Sequence, residues 1–181
     1  MLKLVAFHGP AGSGKDACGA HLIQTHGYAK LSFAAPIYDM LEVAGFGRPT
    51  TQAQKEEVIP WLGVTWRHMA QTLGTEWGRN MVHPDLWRLI VNQRLEVGFA
   101  QGARFVITDL RFENEAELVR KVGGQVVHLR GRREAATTNQ AHQSEQPLAF
   151  HPGDLSLHND TQGLGALHEK LETLLGARLR G

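Results

Sequence analysis

A chain of 181 residues is long enough to bury a sizeable core and short enough to form one domain over 1–181. Lys and Arg number 19 against 18 Asp and Glu, a net charge of +1 that offers no basic field to nucleic acid or to an anionic membrane. The lone Cys18 rules out an internal disulfide, and with neither a transmembrane-length apolar run nor a signal-peptide pattern the reading is a cytoplasmic protein.

Strand and helix patterns alternate along the chain, which predicts α/β architecture: a five-stranded parallel sheet flanked by helices. The first strand, over 3–7, runs directly into Gly9-Pro10-Ala11-Gly12-Ser13-Gly14-Lys15-Asp16, a G-x-x-x-x-G-K loop. Such a loop at a strand-to-helix junction wraps backbone N–H groups around phosphate, and its lysine reaches the β and γ oxygens of a nucleoside triphosphate. The helix predicted over 15–26 adds the positive end of its dipole to the same anion site. Asp16 stands where the pattern normally has a magnesium-binding Ser or Thr. Its carboxylate either serves the metal, directly or through water, or caps the helix. No N-K-x-D base-reading motif accompanies the loop, which argues against a GTPase switch. Cys18 reads as a small buried apolar residue in preference to a reactive thiol.

Gly27 ends this helix, a short strand is expected over 28–33, and a helix over 35–44 stops at Gly45. The stretch 49–64 carries no clear element. Trp66, Met69, Ala70, Leu73 and Trp77 then form one stripe of an amphipathic helix, which assigns Trp77 to the core. Pro84 opens a further helix running to about 100. The whole insertion, 34–102, is rich in aromatics and arginine and is the natural home of a second substrate. Arg67 and Arg79 would hold an acceptor phosphate, and Trp87 is the better candidate to stack on a base.

A buried strand over 104–108 ends at Thr108-Asp109-Leu110-Arg111. Asp109 sits where a magnesium- or substrate-binding carboxylate is wanted, and Arg111 can clamp a phosphate; the alternative is a helix cap with Arg111 paired to Glu113 or Glu115. A helix over 113–122 and a strand over 125–129 follow. Arg130, Arg132 and Arg133 suit a lid, over 130–151, that neutralises charge on a transferring phosphate; the competing reading is a solvated basic turn. His142, His151 and His158 lack metal-ligand spacing, and no cysteine set joins them, which argues against zinc. His142 with Ser144 and Glu145 fits a hydrogen-bond network of the lid. A last strand over 155–158 and a closing helix marked by Leu164, Leu167, Leu171, Leu174 and Leu175 complete the chain.

Together these pieces resemble the deoxynucleoside monophosphate kinases of bacteriophages, a branch of the P-loop kinases related to phosphomevalonate and dephospho-coenzyme A kinases. The resemblance rests on the G-K-D loop, Leu31-Ser32-Phe33-Ala34, and the Leu73-Gly74-Thr75-Glu76-Trp77-Gly78-Arg79 block. It continues through Pro84-Asp85-Leu86-Trp87, Thr108-Asp109-Leu110-Arg111-Phe112-Glu113-Asn114-Glu115, His142-Gln143-Ser144-Glu145 and Asn159. It implies a P-loop kinase fold with a helical substrate-binding insertion and a lid. It also implies transfer of the ATP γ-phosphate to a deoxynucleoside monophosphate, with Mg2+. ATP would lie on Ala11, Gly12, Ser13, Gly14, Lys15, Asp16 and Ala17, with Arg132 and with Asn159 near the adenine. The deoxynucleotide would lie among Phe33, Arg67, Gln71, Gly74, Thr75, Arg79 and Trp87, with Asp109 and Arg111 facing both substrates. Lys15, Asp16, Asp109, Arg111 and Arg130 would carry catalysis, with Asp16 and Asp109 positioning the metal. Two alternatives are a P-loop kinase of another phosphorylated metabolite and a non-catalytic ATP-binding module. Apolar residues around 61–66 offer a surface for a homodimer.

Overall fold

Val5, Ala6 and Phe7 have no exposed surface, as expected of a strand with neighbours on both edges and helices on both faces. The computed structural model, which describes residues 1–131, 148–160 and 163–179, places them in β1, Leu4–His8. The remaining strands are β2 (Ala29–Leu31), β3 (Phe105–Ile107), β4 (Gln125–Gly131) and β5 (Leu155–Asn159). They form one sheet in the order β2-β3-β1-β4-β5, and every pairing is parallel. With β1 in the centre, its carboxyl end opens between β3 and β4, where the strand order reverses and ligands of such sheets gather.

The helices are α1 (Lys15–His26), α2 (Ala35–Val43), α3 (Gln52–Glu56), α4 (Trp66–Gln71), α5 (Leu86–Ala100), α6 (Glu113–Lys121) and α7 (Leu164–Leu175). Phe7 and Val5 of β1 pack with Cys18 and Leu22 of α1 and with Leu167, Leu171 and Leu175 of α7. Side chains alternate across a strand, so α6, whose Val119 lies beside Leu4 at Gly124, covers the opposite face. Cys18 is fully buried and burial pushes its thiol up to about 12, which makes it a packing residue and not a reactive one.

The chain divides into two compact units, Met1–Ser32 with Val91–Gly181, and Phe33–Ile90. The second has its own core, in which Ile37, Leu41, Trp66 and Trp87 are buried among Tyr38, Met69 and Leu73. Two expectations change here. The segment 49–64 contains α3, begun by a capping box in which Thr51 and Gln54 satisfy each other's backbone. The helix expected to continue to Trp77 is α-helical only to Gln71; Thr72–Val82 is a π-helix. The wider π turn takes Trp77 off the apolar stripe, so it is 38% exposed and not a core residue.

Candidate nucleotide site

The loop between β1 and α1 is shaped by close backbone approach. A Cβ on Gly9 would stand 2.3 Å from Leu129 O on β4, and Gly14, at φ +106°, sets the left-handed entry into α1. Lys15 Nζ donates to Gly9 O and Pro10 O, both at 2.7 Å, so the ammonium is held over the loop that should receive phosphate. Asn159, at the end of β5, donates from Nδ2 to Ser13 O at 3.0 Å. The residue expected near an adenine thus also braces the phosphate loop. Ser13 Oγ is buried and makes no hydrogen bond among the described residues. Ala11 and Gly12 are exposed at the loop tip, and Ala17 lies half-buried in the first turn of α1.

Gly14 is the N-cap of α1, and no side chain caps that helix end. Asp16 is therefore not a cap. Its Oδ1 accepts instead from Thr108 Oγ1 at 2.7 Å, which ties the first turn of α1 to the end of β3. Asp109 is likewise no cap: Phe112 holds that position for α6, and Glu115 reaches back to accept from the backbone N–H groups of Arg111 and Phe112 at 3.0 and 3.1 Å. Asp109 Oδ2 accepts from Ser32 Oγ at 2.7 Å. Each carboxylate thus accepts from a neighbouring hydroxyl, and carboxylate oxygens are the hard donors that Mg2+ prefers. Arg111 and Arg130 are exposed; Arg132, Arg133, His142, Ser144 and Glu145 lie outside the described residues.

His8 is a participant that pattern reading passed over. It ends β1, donates from Nδ1 to Leu110 O at 3.1 Å, and accepts at Nε2 from Leu148 N at 3.2 Å. Burial pushes its pKa below the ordinary value, and His128 and Lys15 act in the same direction. A neutral imidazole with that tautomer ties the loop carrying Asp109 and Arg111 to the strand that leads into the phosphate loop. An apolar strand ending in a polar residue was the available signal.

In the second unit the acceptor candidates sort differently from expectation. Arg67 donates from Nε to the Glu56 carboxylate and from a terminal nitrogen to Gln52 Oε1 at 2.9 Å, which anchors α4 to α3. Arg79 donates to Pro84 O at 3.3 Å. Gly74 and Thr75 are buried in the π-helix, Phe33 is buried and Gln71 half-buried. Trp87 is 2% exposed, and its Nε1 donates to Gly74 O at 2.7 Å. Its ring is committed to the core, which corrects the expectation that it lies open for stacking on a base.

A strand–phosphate loop–helix unit at the centre of a parallel sheet ordered 2-3-1-4-5 defines a P-loop kinase fold. A provisionally named kinase from Chloroflexus aurantiacus shares it at a TM-score of 0.51, over 97% of both chains and at 12% identity. The family model for deoxynucleotide monophosphate kinase matches residues 51–171, and the chain belongs to that family. It is 29% identical to a provisionally named deoxynucleotide monophosphate kinase of Acanthamoeba polyphaga mimivirus, over 81% of this chain and 82% of that one. It is 27% identical to the deoxynucleoside-5'-monophosphate kinase of Escherichia phage T5, over 67% and 73%. With the deoxynucleotide monophosphate kinase of Escherichia phage RB69 the identity is 30%, over 66% of this chain and 49% of the relative.

Proposed function

We propose that the chain transfers the γ-phosphoryl group of ATP to the 5'-phosphate of a deoxynucleoside monophosphate. An oxygen of the acceptor phosphate forms a bond to the γ-phosphorus, the bond from that phosphorus to the β–γ bridging oxygen breaks, and ADP leaves. The acceptor phosphate is already an anionic nucleophile, so no general base is required, and catalysis is positioning plus charge stabilisation. The observation that carries this reading is the G-K-D loop at the β1–α1 junction, with Asp16 held by Thr108 and Lys15 folded over the loop.

On this reading Ala11 to Ala17 hold the polyphosphate of ATP, with Lys15 on its β and γ oxygens, and Arg111, Arg130 and Arg132 neutralise the transferring group. Asp16 and Asp109 would hold Mg2+ or its waters, and the ion would offset negative charge on the polyphosphate. The acceptor is assigned to side chains of the second unit: Phe33, Gln71, Gly74, Thr75 and Arg79, with Arg67 kept in place by Glu56. Trp87 acts as a positioning residue through Gly74, and the exposed Trp77 is the ring available for base contact. A cytoplasmic setting and a homodimer through the exposed Trp61 belong to the same proposal. Among the described residues no helix is long and apolar enough to cross a membrane.

A coupled assay of ADP release across the deoxynucleoside monophosphates, with other phosphorylated metabolites as controls, tests the reading. Turnover is expected with deoxynucleotides alone. Lys15→Ala should lower it by at least on the order of 10²–10³ while circular dichroism stays unchanged. A folded Lys15→Ala protein with normal turnover would refute the assignment.

A further inference from the structure

Three metal-ligating groups that no part of the kinase reading uses meet between α1 and α7. His21 Nε2 lies 2.8 Å and His26 Nε2 2.5 Å from the same oxygen, Glu172 Oε1. All three donor atoms fall within 4.8 Å of one another. The side chains are 16%, 14% and 32% exposed, screened from bulk water yet reachable by an ion. Their backbones are set by a rigid interface, because Cys18 and Leu22 of α1 are fully buried with Leu167, Leu171 and Leu175 of α7.

We propose that α1 and α7 share a transition-metal site in which His21, His26 and Glu172 bind a zinc-class divalent ion. Two imidazoles and one carboxylate are the donors zinc takes in three-ligand sites, with a fourth position open to water. Bonds of about 2.0–2.2 Å to a tetrahedral ion would hold these atoms about 3.3 Å apart, so each imidazole nitrogen needs to part from the Glu172 oxygen by less than about 1 Å. The nitrogen content selects against Mg2+, which favours an all-oxygen shell, and separates this site from the carboxylates of the nucleotide loop.

Two neighbours support the assignment. Thr25 Oγ1 stands 3.4 Å from His21 Nδ1, where it can take the N–H that a metal-bound imidazole offers on its other side. The His168 ring stacks on His21 at 4.3 Å and steadies its plane. Among the described residues His168 Nε2 is itself buried with no hydrogen-bond partner, an imidazole nitrogen left unsatisfied beside the cluster.

The test uses untagged, chelator-treated full-length protein, titrated calorimetrically with Zn2+ alone and followed with Co2+ by visible absorption. One equivalent should bind, with tetrahedral-type Co2+ bands, and the melting temperature should rise with free Zn2+. His26→Gln and Glu172→Gln should each weaken binding by about 100-fold or more, while ATP turnover with Mg2+ is unchanged. Where one substitution compromises folding, by circular dichroism, His21→Gln replaces it. No uptake at about 100 μM Zn2+, or wild-type affinity in the folded variants, would overturn the site. Because the readout is metal binding without nucleotide, its failure leaves the kinase reading standing, and the reverse holds too.

Discussion

At the scale of single residues, the informative bond is Thr108 Oγ1 to Asp16 Oδ1, 2.7 Å long. Asp16 replaces the hydroxyl residue that P-loops commonly present to magnesium, and an unrestrained carboxylate there would sweep several rotamers. Thr108 is 93% buried and fixes one oxygen, leaving the other to act. Thr108→Val keeps the volume and removes the donor. Because Asp16 is exposed and can turn to water, the stability cost should be about 1 kcal/mol or less. The Mg2+ concentration for half-maximal turnover should rise about 10- to 100-fold, as outer-shell partners of metal ligands generally require. A magnesium titration of the purified variant decides the matter: an unchanged midpoint would remove Asp16 from the metal's surroundings. The sequence showed Asp16 plainly and left its role open, because only the fold brings Thr108 to a residue 92 positions away.

At the scale of elements, regular segments with strong local signals were legible and the irregular one was not. The limits of α1 followed from the loop before it and Gly27 after it, and the end of α6 from Gly123-Gly124. The π-helix at Thr72–Val82 left no such mark: Trp66, Met69, Ala70 and Leu73 fit an α period, and nothing local warns that the ladder widens afterwards. Its cause is tertiary. Trp87 donates to Gly74 O, and its ring lies where a Cβ on Gly78 would be only 2.4 Å from Cζ2. One of the two more specific sequence blocks, Leu73 to Arg79, thus lies largely in the segment whose geometry departs from the regular helix. Gly78→Ala weighs two effects against each other. Helix propensity favours alanine by about 1 kcal/mol, whereas forcing a methyl into a packed indole costs about 1–3 kcal/mol and endangers the Gly74 bond. The clash should win. We expect a melting temperature lower by about 2–8 °C and a raised KM for the deoxynucleotide, with KM for ATP little changed. A more stable variant with unchanged kinetics would show that the ring gives way freely.

At the scale of the whole molecule, strand alternation made the sheet and its parallel sense readable, since buried runs such as Phe105-Val106-Ile107 admit few other arrangements. Charge networks between distant elements were not readable. The clearest joins α6, β4 and the segment before β5: Arg120 grips Asp154 with two hydrogen bonds of 3.0 and 2.9 Å and also holds Glu113 at 2.6 Å. His128 Nε2 and the His151 backbone N–H donate to the same carboxylate, whose side chain is only 2% exposed. Burial alone would raise the Asp154 pKa, but the Arg120, His151 and His128 donors outweigh it and hold it at about 2. An unfolded chain, with an ordinary aspartate near 3.8, takes up that proton first as the solution is acidified. The stabilisation, about 2 kcal/mol, is therefore complete above roughly pH 5 and lost as pH falls toward about 2. Asp154→Asn removes this dependence and strands Arg120 on Glu113 alone, so it should be the less stable protein by about 3 kcal/mol at pH 6. Denaturant unfolding at pH 6, 4 and 3 would show the gap between wild type and variant closing as acid is added, since only the wild type still has the carboxylate to lose. A gap that stays constant over that interval would mean that Asp154 is not the group through which acid loosens this sheet.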